Sequence, residues 1–237
     1  MAVGLRVRNN NNIIQIDNQY KNLAMTQKGT VTTVAGVIPQ FNSNVAYATI
    51  TVSGTNPQIA LIPTEAAVAS LWYISKSGSS FVFHIVSRAA ATIPYYIFDN
   101  TISGIAGAKL KMRDAAGNLF FDSSNKYLKI VGMLNTTDDD PIIQLATPSG
   151  RQCAVLVSAG GYSYVNVVTG YIPPSLYQKA ELMKIAACAI NVASNYASGG
   201  PMDLFTRFYI EDSPTTPQGI AYGTNFAQFP VIDVTHY

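Results

Sequence analysis

The sequence predicts an all-β protein: two tandem, related β-sandwich-like domains with an extended C-terminal arm and at most one short helix. Three observations carry this. Short runs of β-branched and aromatic residues recur along the chain, each ended by Gly, Pro, Asn or Asp. Hydrophobic residues form 48% of the 237 positions but charged ones only 12%, about half the ordinary charged share. Such a chain keeps its surface polar with Asn, Ser, Thr and Gln. A strand–turn–strand unit also occurs twice, which points to duplication.

The clearer copy is residues 110–132, LKMRDAAGNLFFDSSNKYLKIVG. Leu110 and Met112 alternate with polar neighbours, and residues 114–118 supply a turn whose Gly117 tolerates the left-handed conformation. Residues 119–121 return as a strand, Asp122-Ser123-Ser124-Asn125 breaks it, and residues 127–131 read as a third strand. Near the N-terminus, Leu5, Val7, Arg8 and Asn9 match Leu110, Met112, Arg113 and Asp114. Asp17 matches Asp122, and Tyr20 with Leu23 matches Tyr127 with Leu128. The copies also close alike, residues 93–99 against 204–211. Domains are therefore expected at 1–100 and 107–212, joined by a small, uncharged linker at 100–107, with residues 213–237 as the arm.

In chain order, strands are expected at 31–37, 47–52 and 58–62, the last stopped by Pro63. Residues 65–70 are Ala-rich but too short for a stable helix. Strands at 71–75 and 81–87 flank a loop around Gly78, and 93–99 closes the unit. In the second unit, residues 135–141 form a polar loop, and strands follow at 142–146, 153–158 and 163–168. Residues 175–196 read two ways. Ser175 with Gln178 fits a helix start, and Leu182, Ile185, Ala189 and Val192 approximate one helical face, yet 185–193 occupies the place of strand 81–87. The favoured reading is a short helix or loop followed by a strand. Residues 213–237 hold Pro214, Pro217 and Pro230, several aromatics and no periodicity, and are expected to pack outside the domain core.

Charge and cysteine content exclude several classes. A net charge of +2, with Lys and Arg scattered, points to neither nucleic acid nor an anionic membrane as partner. Cys153 and Cys188 sit in no CxxC arrangement and read as buried thiols. No apolar run reaches the length of a membrane span, and no secretory signal is evident, so synthesis in cytoplasm is expected.

Chemistry is sparse. His84 lies within a strand and reads as a satisfied side chain; His236 stands near the end. No GxSxG elbow accompanies them. Asp99, Asp122, Glu181, Asp203, Glu211, Asp212 and Asp233 mostly fall at strand ends or turns, where carboxylates cap backbone donors. Asp138-Asp139-Asp140 lacks the alternating spacing of a calcium loop, and Gly160-Gly161 lacks the Lys of a phosphate loop. The expectation is no catalytic residue, cofactor or metal. Tyrosines are numerous, and Tyr162, Tyr164 and Tyr171 are the candidates for a glycan-binding or subunit interface.

The opening Gly4-Leu5-Arg6-Val7-Arg8-Asn9 and the string from Leu110 to Asp122-Ser123, through Lys126-Tyr127-Leu128, resemble tail-tip and tail-fibre proteins of tailed bacteriophages. The likeness covers about a fifth of the 237 residues and brings no catalytic residues. The first copy departs from it by using Asn10-Asn11-Asn12 in place of a Gly turn. What the resemblance implies is a virion structural protein, a homo-oligomer with a trimer favoured, packed against other phage tail proteins around the tail axis. The alternative is a receptor-binding module for host surface polysaccharide.

Overall fold

The computed structural model describes residues 6–8, 14–17, 23–36, 45–100, 110–114, 116–136, 142–157, 162–172, 176–211 and 227–237. The linker at 100–107, the Asp138–Asp140 cluster and Gly160-Gly161 fall largely or wholly outside them. The chain is all-β. Its first half forms Arg6–Arg8 (β1), Ile14–Asp17 (β2), Ala24–Ala35 (β3), Ala46–Ser53 (β4), Gln58–Leu61 (β5), Ala69–Ser77 (β6), Ser80–Ser87 (β7) and Ala91–Asp99 (β8). Its second half forms Lys111–Arg113 (β9), Leu119–Asp122 (β10), Ile130–Thr136 (β11), Ile143–Ala146 (β12), Cys153–Val157 (β13), Tyr162–Ile172 (β14), Leu176–Asn191 (β15), Tyr196–Glu211 (β16) and Ala227–Asp233 (β17). The helical element described is the 3-10 turn Glu65–Ala67.

The strands form where side chains alternate. In β7, Phe81, Phe83 and Ile85 enter the core while Val82 and His84 take the other face. The β6–β7 hairpin closes at Gly78, whose φ of +59° L side chains rarely adopt. In the first unit, β3, β8 and β5 form one sheet and β4, β7 and β6 the other, and the chain winds between them as in a jelly roll. β3 links the two. Thr33 and the residues before it pair with β8, whereas Val34 and Ala35 pair with β4.

The second unit repeats this winding, with β11, β17 and β13 in one sheet and β12, β16 and β15 in the other. Each half of the strand path, β11-β17-β13-β5-β8-β3 and β4-β7-β6-β15-β16-β12, therefore reads alike from both of its ends once matching strands are equated. Matching strands also share register. Thr30, Val31, Thr32 and Thr33 face Pro94, Ile93, Thr92 and Ala91. Met133, Leu134, Asn135 and Thr136 face Pro230, Phe229, Gln228 and Ala227. Cross-strand contacts repeat: Thr32 Oγ1 meets Thr92 Oγ1 at 3.1 Å where Gln228 Nε2 donates to Asn135 Oδ1 at 3.2 Å. Thr33 donates to the Ala91 carbonyl at 3.2 Å, and Thr136 to that of Ala227 at 3.5 Å. The hairpins match too. Arg6, Val7 and Arg8 face Asp17, Ile16 and Ile14, while Lys111, Met112 and Arg113 face Asp122, Phe121 and Leu119.

Equivalent positions meet where the units join. Leu61 of β5 pairs with Val155 of β13, and Ala69 of β6 with Cys188 of β15. Ala24, ahead of the bulge in β3, bridges Tyr127, its counterpart ahead of β11. These three contacts mark an approximate two-fold axis within one chain. The arrangement is that of an isologous dimer made covalent. One core runs through both units, with Phe83, Phe98 and Leu61 from the first and Val155, Phe229 and Val231 from the second.

The structure corrects three expectations. Residues 176–191 are one strand, β15: the strand expected at 185–193 is present through 191, and the helix or loop expected before it is strand as well, because β14 and β16 pair with it. That strand takes the place of β6, not of 81–87. Residues 204–211 belong to β16, the strand that takes the place of β7, so they do not close the unit. The closing strand is β17, and its Ala227-Gln228-Phe229-Pro230 answers Ala91-Thr92-Ile93-Pro94. Of the arm expected at 213–237, residues 213–226 lie outside the described residues and 227–233 are a core strand. β17 lies between β11 and β13, with Phe229, Val231 and Ile232 fully buried. Pro230 concealed it, since proline demotes a sequence run as a strand.

Candidate functional surfaces

Four places gather side chains with chemical potential, and each is positioned by the two-fold plan. The first is the outer face of the first unit's second sheet. Cross-strand pairing sets Thr49 and Tyr73 on either side of His84. The imidazole stacks on Tyr73 with ring centres 3.7 Å apart. Its Nδ1 hydrogen-bonds the Tyr47 hydroxyl, and its Nε2 lies 3.1 Å from Ser75 Oγ. Burial lowers the His84 pKa from its ordinary value and raises that of Tyr47. With both nitrogens hydrogen-bonded and 9% of the residue exposed, the His84 side chain is satisfied, as its strand position suggested.

The second place is a pair of carboxylates, Asp99 and Asp233, each the last residue of its strand, β8 and β17. Asp99 accepts from the backbone N–H groups of Thr55, Asn56 and Asn100 at 2.8, 2.9 and 2.6 Å, fastening the β4–β5 turn. Asp233 fastens the corresponding turn through side chains. Arg151 from the β12–β13 loop donates to it, and Lys129 does so at 3.1 Å. Burial opposes the Asp233 charge, but hydrogen bonds from Thr235, Lys129 and Arg151 outweigh it and hold the carboxyl well below the usual range. Asp122 is likewise buried, capping the Ser124 N–H at 2.9 Å with Lys111 Nζ at 3.8 Å. These carboxylates are turn fasteners. No cluster of three or more His, Cys, Asp or Glu able to hold a metal occurs among the described residues.

The tyrosine candidates lie on β14, the strand without a counterpart in the first unit. Tyr162, Tyr164 and Tyr171 stand opposite Ile185, Met183 and Tyr177 of β15. They share one strand, with a register shift between Val168 and Gly170 separating Tyr171 from the other two. Cys153 and Cys188 are buried free thiols, and burial raises both pKa values. Neither thiol is poised to react.

The fourth place escapes a sequence reading. Where β6 meets β15, a small groove of about 60 Å³ is lined by Glu65, Val68, Arg88, Ile142, Ser198 and Gly200, with Ala187 and Cys188 also contributing. Its walls come from both units, so no local spacing could have announced it. No helix among the described residues is long and apolar enough to cross a membrane. Comparison with protein-family models, curated proteins and solved structures finds no match.

Proposed function

We propose that this chain is a structural component of a bacteriophage tail, in the tail tip or a tail fibre, and that it works by assembly rather than catalysis. The observation that carries the reading is the pair of register-matched hairpins, β1–β2 and β9–β10. Each forms its own two-stranded sheet apart from the main one. The second contains the tail-protein-like string, and the two-fold plan presents the motif twice. A neutral surface supports the same reading, because weakly charged faces stack without repulsion, and 12% charged residues supply such a surface.

The main sheet favours contacts through hairpins and β14 over contacts through open edges. β3 pairs with β4 in the middle of the path, and its two end strands lie together, Gly132 of β11 against Leu145 of β12. End strands covered in this way are poor templates for strand addition. In the proposed particle, copies pack around the tail axis with trimers favoured, alongside other tail proteins, and the chain carries no reaction centre of its own.

The test is direct. Particles labelled at this chain and imaged by electron microscopy should show density at the tail. Label absent from purified particles would end the proposal. Light scattering on the purified chain should show an oligomer; a strict monomer at high concentration would remove self-assembly. A reducing-sugar assay on host capsule should show no release, and sustained release would replace assembly with an enzyme.

A further inference from the structure

β14 pairs with β15 along one side, and no described strand pairs with the other. Along that outer side, alternate backbone N–H and C=O groups of an 11-residue strand point away from β15. The strand begins where β6 leaves off. Ala69 of β6 pairs with Cys188, and β14 then follows β15 from Ile185 back to Leu176. With β16 on the far side of β15, the three strands form a ribbon that continues past the contact with the first unit.

Open strand edges are ordinarily blunted by charge, proline, bulges or cover, and the other long edges of this chain show those devices. β3 carries Lys28 and a register shift between Met25 and Gln27. β6 carries Lys76 and a shift between Leu71 and Tyr73. β4 gives Ala46 and Tyr47 to β3, and β11 lies against Leu145 of β12. β16, past its last pairing with β12 at Gly199, carries Pro201, Asp203, Arg207 and Glu211. Residues 162–168 of β14 have none of these. They read Tyr-Ser-Tyr-Val-Asn-Val-Val, uncharged, without proline or glycine, and in unbroken register with β15 until the shift after Val168. The charges of the ribbon sit instead on its central strand, at Lys179, Glu181 and Lys184 of β15, and on β16. That is the reverse of a sheet that ends at β14, and the composition of 162–168 is that of a strand paired on both sides.

We propose that the outer edge of β14 is an assembly contact, pairing antiparallel with the same edge of a second copy across a two-fold axis at Val165. In that register Tyr162 faces Val168 of the second copy, Ser163 faces Val167 and Tyr164 faces Asn166, so no like charges oppose each other. A second copy is the occupant because this edge complements itself, whereas β16 presents the blunted edge of the same ribbon. Such an isologous contact closes with two copies and does not run on into a filament. It is separate from packing about the tail axis, and the inference does not rest on the tail assignment.

The test combines light scattering with amide hydrogen exchange on the intact chain. The chain should assemble in even numbers of copies. Alternate amides within residues 162–168, those not bonded to β15, should gain protection as concentration rises. Val165→Lys sets like charges opposite each other on the axis and should halve the number of copies, as should Val165→Glu; mixing the two variants should restore the assembly. If either variant fails to fold, the wild-type exchange pattern decides. A strict monomer, or an assembly unchanged by both variants, overturns the proposal. Protection of those amides at every dilution in a monomer would mean that the chain covers its own edge, and growth without a fixed number of copies would mean head-to-tail pairing; each overturns it too.

Discussion

Single side chains explain how the turns between strands hold their shape. Asp99 is 2% exposed and satisfies three backbone donors, so its loss strands buried N–H groups. Asp99→Ala should cost about 3 kcal/mol, the scale of charge-assisted hydrogen bonds left unmade, read as a lowered denaturant midpoint at unchanged slope. A cost under about 1 kcal/mol would mean that the β4–β5 turn is held by other contacts. Two residues also set a pH dependence. The folded His84 pKa lies below its ordinary 6.5, so the unfolded chain binds that proton more readily. Its contribution is complete above that value and is lost as pH falls through it. The folded Asp233 pKa is also lowered. Its contribution is complete above about pH 4, near the unfolded carboxyl value, and is lost at more acid pH. Stability should therefore decline in two stages on acidification, with His84→Gln flattening the first and Asp233→Asn the second. Matching slopes in wild type and His84→Gln between about pH 6.5 and 5 would remove His84 from the account.

At the scale of elements, the close approach of β11 to β12 is the seam that shuts the second unit. A Cβ on Gly132 would collide with the Leu145 side chain. Gly132→Ala should destabilise by about 1–3 kcal/mol, the usual cost of overpacking. Leu145→Ala in the same chain should return part of that loss, giving a coupling energy above about 0.5 kcal/mol in a double-mutant cycle. Strict additivity would place the clash elsewhere. The neighbouring junction of β3 with β7 in the first unit is made by hydrogen bonds instead. Ser87 Oγ donates to Thr33 Oγ1 at 2.7 Å. In the second unit Gly199 replaces Ser87, and Thr136 closes over it, 2.8 Å from where a Cβ would stand. The same junction is thus filled by a hydroxyl pair once and by close packing once.

The whole molecule behaves as a dimer that cannot dissociate. In the intact chain β5 is covered by β13, and β6 meets β15. A fragment of residues 1–100 would expose both as open edges. It should self-associate, recreating the axis with a second copy of itself, and light scattering should report a dimer or larger species. A stable monomer would show that the units do not need one another. Removing residues 227–237 should be worse, since it takes β17 from between β11 and β13 along with Phe229, Val231 and Ile232. Loss of cooperative unfolding is the expected outcome; an intact, cooperative truncated chain would contradict the place of β17 in the core.

The all-β class and the repeated hairpin were legible in the residues, because alternation and turn chemistry are local properties. Asp17 and Asp122 could be matched by eye, and the structure pairs them with Arg6 and Lys111 in the same register. A strand over 185–191 was the favoured reading, but its start at 176 was not legible, since a run such as Lys184-Ile185-Ala186-Ala187-Cys188 suits either period until neighbouring strands pair with it. Nor was the placement of Ala227–Asp233, whose Pro230 argues against a strand unless its partners are known. The two-fold axis and the Arg88 groove belong to tertiary structure alone. They arise from contacts such as Leu61 with Val155 and Ala69 with Cys188, between residues about a hundred positions apart, and pairing at such distance is set by which surfaces bury together, not by neighbouring sequence.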